Sequence, residues 1–189
     1  CALLGAGTVQ CWGENFYGSL GVGQDNVSMM QLTPVAVAGI SNATSINIGG
    51  KTNFFAQGFS CALLSAGTIK CWGGDNHGQL GSGSRSSTTF TQPGAQIQNT
   101  GFFSREPVQV AGISNATAIS ASRTGFHGHA CAIVDQGSVK CWGADDSGQL
   151  GSGSKNTQTF DHYGISHTQF FSPTPVLVDG ITTATAISA

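Results

Sequence analysis

The sequence predicts an all-β fold made of tandem, four-stranded antiparallel sheets, and three observations support this prediction. The stretch CALLSAGTIKCWGGDNHGQLGSGS at 61–84 occurs in three variants along the 189 residues. Within each variant, hydrophobic residues alternate with polar ones, as is typical of strands. The apolar segments are short and bounded by glycine and small polar residues. Four-stranded sheets repeated at this spacing indicate propeller blades or a β-solenoid.

The best-defined unit justifies the strands one by one. We expect four strands to form one sheet there, near 107–110, 116–121, 129–134 and 138–143. Ala-Gly at 111–112 and Asp-Gln-Gly at 135–137 provide turns. We expect Gly137 to adopt the positive φ that a three-residue hairpin loop requires. No segment has helical periodicity over a useful length.

The repeats differ in one loop. The Cys-Trp-Gly triplets at 11–13, 71–73 and 141–143 give units of 60 and 70 residues. We divide the chain into repeat 1 at 1–60, which begins in mid-repeat, repeat 2 at 61–130, and repeat 3 at 131–189, which ends in mid-repeat. The loop is longer at 84–106 and 154–174 than at 24–33, and such insertions project from one face of an array, often the binding face. Neighbouring repeats or other subunits are expected to supply the missing strands.

Each repeat has two cysteines ten positions apart. In a hairpin centred on Ala66, Cys61 lies opposite Cys71, at a separation that a disulfide accepts. The same arithmetic predicts the other two disulfides, Cys1–Cys11 and Cys131–Cys141. Buried free thiols, a zinc site and an acylated Cys1 are the alternatives, but the close Cys-x-x-Cys pair of zinc sites is missing. Regular disulfides predict an extracellular or cell-surface protein, with the periplasm as an alternative.

The composition predicts a polar but mostly uncharged surface. Charged residues make up 8% of the chain, against a usual share of about 25%. The net charge is −2 and there is no run of Lys or Arg, so we expect no nucleic-acid binding. No window approaches the eighteen or so apolar residues of a membrane-spanning helix, so we expect no membrane span.

The pattern Cys-Trp-Gly-x-x-x-x-Gly-Gln-Leu-Gly-x-Gly, at 71–83 and 141–153, resembles the repeat of the regulator of chromosome condensation family. His129 and the Ala-Cys-Ala-Ile after it resemble the family's His-x-x-Ala-Leu strand. Ser19 and Phe59 depart from the pattern, where Gln and His are usual. The resemblance implies blades of a β-propeller, usually seven, so that these three form an open array or part of a larger one.

The family's best-known function is nucleotide exchange on a small nuclear GTPase bound to chromatin. We do not carry it over, because the chain has no basic tail and no alignable exchange-loop motif. Disulfides also fit a cytosol or nucleus poorly. Disulfide-bearing versions look more like secreted bacterial or surface proteins.

The candidate metal and catalytic residues have simpler interpretations. His127, His129 and Cys131 alternate, but Cys131 is assigned to a disulfide and His129 to the strand, so we predict no metal site. Three aspartates precede Gly-Gln-Leu-Gly and are interpreted as turn residues rather than calcium ligands: Asp75, Asp145 and Asp146. No Ser-His-Asp or Cys-His set recurs, so we predict no catalytic residues, no cofactor and no enzyme activity.

The remaining candidates concern contacts and modification. We expect the Phe pairs at the ends of the long loops to anchor those loops on the blades or on a neighbouring subunit: Phe102, Phe103, Phe170 and Phe171. His162 and His167 are candidate loop contacts. Trp12, Trp72 and Trp142 are expected to pack between adjacent sheets. Three sequons are candidate glycosylation sites: Asn26, Asn42 and Asn115.

These observations favour a non-enzymatic extracellular or cell-surface scaffold of disulfide-stapled blades. Its expected partners are other repeats or copies of the same protein, with a surface protein or glycan as a further class. Open ends predict end-to-end assembly into a larger propeller or a fibre. The alternative is a ligand- or partner-binding propeller that recognises carbohydrate or regulates a GTPase.

Overall fold

The structure, a computed structural model, describes residues 1–23, 30–49, 58–91, 98–122, 127–162 and 165–189. These residues form thirteen strands and no helix, which confirms the all-β prediction. The strands are β1 (Ala2–Leu3), β2 (Val9–Glu14), β3 (Met30–Ala36), β4 (Ala43–Gly49), β5 (Phe59–Leu64), β6 (Ile69–Gly74), β7 (Ser87–Thr91), β8 (Gln98–Gln109), β9 (Ala118–Ala121), β10 (His129–Val134), β11 (Ser138–Ala144), β12 (Thr157–His162) and β13 (Ile165–Leu177).

The strands form three antiparallel sheets, which follow one another along the chain as blades do. The first sheet has the order β1-β2-β3, the second β4-β5-β6-β8-β7, and the third β9-β10-β11-β13-β12. In the second and third sheets, four strands form the blade and a fifth, β7 or β12, extends it by pairing with the first half of the long strand that follows. The long loops of the sequence therefore contain antiparallel strand pairs that continue the sheets.

The strand expected at 107–110 does not pair with the strand that follows it. It forms the end of β8, where Cys71 lies opposite Val108, so it closes the second sheet. The third sheet begins only at β9 and gains its outer strand from β13. A blade thus begins with the Ala-Thr-x-Ile segment and ends with Pro-Val-x-Val, because the chain crosses to the next sheet after Pro-Val rather than before it.

The cysteine hairpin has the expected register. Cys61 lies opposite Cys71, and Leu63 lies opposite Ile69. Gly67 turns the chain with φ of 74°, and its N–H donates to the Leu64 carbonyl oxygen over 2.9 Å. In the third hairpin Gly137 is also at positive φ, 133°, but Asp135 and Gln136 join it in the left-handed region.

A β-bulge follows every tryptophan of the Cys-Trp-Gly triplets. The register shifts between Cys71 and Gly73, and again between Cys141 and Gly143. Gly73 has φ of 99°, and a Cβ there would lie 2.5 Å from the Gly58 carbonyl oxygen. The glycine of the triplet is therefore needed for the bulge, which redirects the outer strand.

The core lies between the sheets, because alternate residues of a strand face opposite sides. Trp72 faces the first sheet, in a buried cluster with Val9, Leu20 and Val37. Its neighbour Cys71 faces the third sheet, in a cluster that includes Trp142. Both sides of the second sheet are therefore buried. None of the described residues forms a helix with the length and apolarity needed to cross a membrane.

Candidate interaction surface

The contact between sheets is built around one tryptophan, and it occurs twice. Trp72 Nε1 donates to the Ser19 carbonyl oxygen over 3.1 Å, and Trp142 Nε1 donates to the Gln79 carbonyl oxygen over 3.0 Å. Both tryptophans are 0% exposed. The second and third sheets therefore each place their tryptophan on the turn of the sheet before them, as the sequence predicts for these two residues.

A glycine makes room for each ring. A Cβ at Gly21 would lie 2.8 Å from Trp72 Cδ1 and Nε1, and a Cβ at Gly81 would lie equally close to Trp142. Real Cβ contacts are not this short, so the last glycine of the Gly-x-Leu-Gly turn forms the floor of a tryptophan slot. This explains why the motif ends in glycine.

A carboxylate holds the slot in shape from inside the turn. Asp75 Oδ1 accepts from the Leu80 N–H at 3.0 Å and Oδ2 accepts from the Ser86 N–H at 2.5 Å. Asp145 accepts from the Leu150 and Asn156 N–H groups in the same way. Burial raises the pKa of Asp75 to about 6, although these hydrogen bonds act in the opposite direction. Asp75 and Asp145 thus lie in the turns, as expected.

In the part of the chain that the structure describes, two faces of the array carry the same elements without a partner sheet. Trp12, the tryptophan of the first sheet, is 48% exposed and lines a groove with Glu14, Leu20 and Ile48. In the third sheet, an added Cβ at Gly151 would meet only Val178 and no tryptophan. One end of the chain therefore exposes a tryptophan, and the other exposes a glycine-floored slot.

The inserted hairpins fold back onto the preceding turn. Phe103 is 1% exposed, and its ring contacts Tyr17 of the first sheet's turn at 5.8 Å. Phe171 is 3% exposed and lies edge-on to His77 of the second sheet's turn at 6.2 Å. These two residues are anchors. Phe102 and Phe170 instead lie beneath cations, with Arg85 4.0 Å from the first ring and Lys155 5.1 Å from the second.

His77, His127 and Asp146 meet at the junction of the second and third sheets. His127 Nδ1 lies 2.7 Å from Asp146 Oδ2, and the rings of His77 and His127 are 5.5 Å apart. Ligand atoms from all three residues lie within 4.8 Å of one another. Burial lowers the pKa of His77, which favours its neutral imidazole. Sequence reasoning missed this cluster.

His129 and Cys131, which alternate with His127 in the sequence, are not part of this cluster. His129 begins β10, and burial lowers its pKa. Cys131 is bonded to Cys141. The His127 ring contacts Asp146, a residue nineteen positions away. One sequence signal does point to the cluster: the turn position of His77 holds a different residue type in each repeat, Tyr17 in the first and Ser147 in the third.

All three disulfides connect the expected cysteines. They join Cys1 to Cys11, Cys61 to Cys71 and Cys131 to Cys141. Asn42 and Asn115 are exposed, and their side chains contact Ser65 and Asp135 respectively. Glycosylation stays a prediction at both. Asn26 lies outside the described residues. The backbones of His162 and His167 lie in β12 and β13, where His167 is opposite Phe160.

Comparison with known proteins finds a repeat family that part of this chain resembles. Residues 117–149 match the family described as the regulator of chromosome condensation (RCC1) repeat. E3 ubiquitin-protein ligase HERC2 of Homo sapiens and of Mus musculus are each 28% identical over 149 residues, which is 79% of this chain. The chain spans only 2% of the length of these curated relatives.

Two solved structures share the fold. Yeast RCC1 (Prp20), in a crystal structure with bound Kap60, matches with a TM-score of 0.65 at 19% identity, over 97% of this chain and 36% of that chain. Prp20p from Saccharomyces cerevisiae, described together with its binding properties to Gsp1p and histones, matches with a TM-score of 0.64 at 20% identity, over 96% of this chain and 37% of that chain. The three sheets therefore correspond to blades of a β-propeller of this type.

Proposed function

The chain is built of repeats of the regulator of chromosome condensation type, and from this premise we propose that it is a non-enzymatic, partner-binding scaffold whose two open faces dock head to tail on further repeats. The tryptophan contact carries the proposal. It occurs at both internal junctions, and its two halves are left uncovered at opposite ends of the array. A second copy of the chain has both halves to offer.

The strand edges at the two ends are complementary as well. The first strand of the second sheet, β4, pairs with β5 so that Ile46 lies opposite Ala62. In the third sheet Ile119 lies opposite Ala132 in the same way. In the first sheet, β1 pairs only with β2 among the described strands, and no described strand covers its other edge. An open edge is a template for an added strand.

The last residues of the chain fit that template. The sequence Ala-Ile-Ser-Ala at 186–189 repeats that of β9. The Ala189 N–H donates to Ser120 Oγ over 2.8 Å, as the Ala121 N–H donates to Asn47 Oδ1 over 2.9 Å. By this equivalence we expect Ile187 to lie opposite Ala2 of the docked copy. Pairing and tryptophan insertion would then occur together.

A mixing experiment tests this docking. Trp12→Ala removes the exposed ring. Gly148→Asn blocks the other face, since a Cβ at Gly148 meets nothing within 4 Å in this chain, whereas at the equivalent Gly78 it would lie 2.6 Å from the Pro173 Cα atom. Asn tolerates the positive φ of 76° that Gly148 has. We expect each variant alone to sediment as a monomer at concentrations where the wild type associates.

The mixture should restore one contact. Trp12→Ala keeps the slot and Gly148→Asn keeps the tryptophan, so together they should form a 1:1 complex and nothing larger. Each variant should weaken self-association by at least about 30-fold, which corresponds to the roughly 2 kcal/mol of an interface hot spot. Ser65→Ala is the control, because Ser65 is exposed in the hairpin turn of the second sheet, which packs between the other two sheets, and its truncation should leave association unchanged. A wild type that stays monomeric in light scattering at high concentration contradicts the proposal, as does a mixture that fails to associate.

A second candidate function is binding of a different partner at the inserted hairpins. Arg85 lies 4.0 Å from the Phe102 ring and 5.3 Å from the Phe171 ring, so it connects the bases of the two hairpins. They therefore stand side by side and could present one combined surface. Prp20, which shares the fold, is described with bound Kap60, so one protein with this fold has a protein partner.

Shortening one hairpin tests this candidate. Thr88 lies opposite Gly101, so residues 89–100 can be replaced by Asn-Gly while Phe102 and the anchor Phe103 stay in place. A glycan array and Gsp1p serve as probes for carbohydrate recognition and for a protein partner. We expect one probe to bind the wild type and the shortened variant to lose at least tenfold in affinity. Binding of neither probe, or equal binding by the variant, removes this candidate.

We further infer that the protein works in an oxidising compartment, at the cell surface or outside the cell. All six cysteines form disulfides, which persist there and are reduced in the cytosol. Thiol alkylation of protein taken directly from its source, followed by mass spectrometry, measures this. Alkylated cysteines would contradict the assignment.

A further inference from the structure

Two imidazoles and one carboxylate converge where the second and third sheets meet. They belong to His77, in the turn after β6, His127, just before β10, and Asp146, in the turn after β11. From this convergence we propose that His77, His127 and Asp146 form a binding site for a transition-metal dication of the Zn²⁺ class, which links the two sheets. The site lies within one chain and does not depend on head-to-tail docking.

The donor set selects the metal class. Two nitrogen ligands and one carboxylate oxygen suit Zn²⁺, which leaves a fourth position for water. Ca²⁺ and Mg²⁺ prefer sites made entirely of oxygen ligands, so they are disfavoured. Soft metals prefer thiolate ligands, but all six cysteines form disulfides, so no thiolate competes with the histidines for the ion.

The geometry needs only small side-chain adjustments. With metal–ligand bonds of about 2.0–2.1 Å, ligand atoms around a tetrahedral ion lie about 3.3 Å apart. Here one pair is 2.7 Å apart and all three atoms lie within 4.8 Å of one another. The side chains of His127 and Asp146 are 53% and 37% exposed, so they have room to rotate. The site therefore combines adjustable ligands with the more enclosed His77.

His77 is held in place by its surroundings. Its backbone N–H donates to Gln79 Oε1 over 2.9 Å, and its ring packs against Phe171. Its Nδ1 atom is shielded from solvent and has no hydrogen-bond partner among the described residues. A buried ring nitrogen without a partner costs free energy. The ring thus has binding capacity that the fold itself does not use.

The fold also does not require these residue types. The turn position of His77 holds Tyr17 in the first sheet and Ser147 in the third, and the position of Asp146 holds Phe16 and Asn76 in the other two. The Trp and Asp contacts that build the blades recur without the histidines. The three ligands are therefore specific to one junction, and we expect one ion per chain. The positive charge of Arg85 acts on His77 and will reduce the affinity.

Metal titration of the intact, non-reduced chain tests the site. Isothermal titration should show that the wild type binds one equivalent of Zn²⁺ per chain. Co²⁺ bound at the site should give the visible absorption bands of four-coordinate Co²⁺. His127→Ala and Asp146→Asn should each weaken Zn²⁺ binding at least tenfold, because each variant removes one of the three protein ligands. Zn²⁺ should raise the Tm of the wild type but not of these variants.

A matched control separates the site from adventitious binding. Asp179→Asn removes a carboxylate that lies beside Gly153, away from the cluster, and should bind Zn²⁺ as the wild type does. Three outcomes overturn the proposal: a wild type that takes up no Zn²⁺, variants that bind as tightly as the wild type, or a preference for Ca²⁺ or Mg²⁺. If His127→Ala fails to fold, Asp146→Asn alone decides, because it replaces one carboxylate oxygen with an NH2 group in a side chain that is 37% exposed.

Discussion

The tryptophan of each Cys-Trp-Gly triplet has the same sequence context but a different burial. Trp72 and Trp142 are 0% exposed and donate to the turn of the preceding sheet, whereas Trp12 is 48% exposed. The difference comes from the neighbouring sheet and not from the residue. Truncation should therefore have different consequences at the three positions.

Trp142→Ala should lower the free energy of unfolding by about 3–5 kcal/mol, the usual cost of removing a buried aromatic ring. Trp12→Ala should cost less than about 1 kcal/mol, because its ring is half in solvent and leaves no enclosed cavity. Urea denaturation at low protein concentration, where the chain is monomeric, measures both. Equal losses in the free energy of unfolding for the two variants would show that burial in the slot does not add to stability.

The cluster of His77, His127 and Asp146 shows the limit of local reasoning. The sequence pattern groups His127 with His129 and Cys131, because these residues alternate along a strand. The His127 ring instead contacts Asp146, nineteen residues away, and His77 lies in the turn after β6 of the second sheet. Strand periodicity predicts which residues share a face. It does not predict which turns meet at a junction.

At the scale of elements, the disulfide hairpin is the part that the sequence describes best. Its register follows from the turn length, so Cys61 and Cys71 lie opposite each other as expected. The hairpin is buried on both sides in the second sheet, because Cys71 faces one neighbour and Trp72 the other. The covalent link and the packing therefore stabilise the same two strands.

Replacing Cys61 and Cys71 together with alanine should lower the free energy of unfolding by about 3 kcal/mol. The chain-entropy estimate for a loop of eleven residues is about 2.8 kcal/mol. Urea denaturation of the oxidised double variant, compared with the oxidised wild type, measures this. Full reduction of the wild type should lower its stability further, since three such loops open. An unchanged midpoint after reduction would contradict the stabilising role.

The sheet to which the outer strand of each blade belongs does not follow from the sequence pattern. The segment at 107–110 has the alternation of a strand, and it forms one, but it belongs to the second sheet rather than the third. Alternation shows that a segment is a strand, but it does not show which sheet the strand joins. That depends on where the chain crosses from one sheet to the next. The Gly112 turn and the tryptophan slot place that crossing after Val110.

At the scale of the whole molecule, the three blades form an array with unlike ends. One end presents Trp12 and the free edge of β1, and the other presents Gly151 and the segment at 186–189. Contacts between unlike faces produce a closed ring if the rotation closes and a filament if it does not. Sedimentation of the wild type will distinguish these outcomes, because a ring stops at one size and a filament grows with concentration.

The sequence by itself determined the period-two strands, the three repeats, the cysteine register and the resemblance that implied propeller blades. These are properties of neighbouring residues or of repetition, so one chain read in order contains them. Only the tertiary structure decided which sheet each outer strand joins, that Trp12 differs from Trp72, and that two histidines and an aspartate meet at one junction. Those features depend on which surfaces pack together in space, and packing brings together side chains that no local pattern connects.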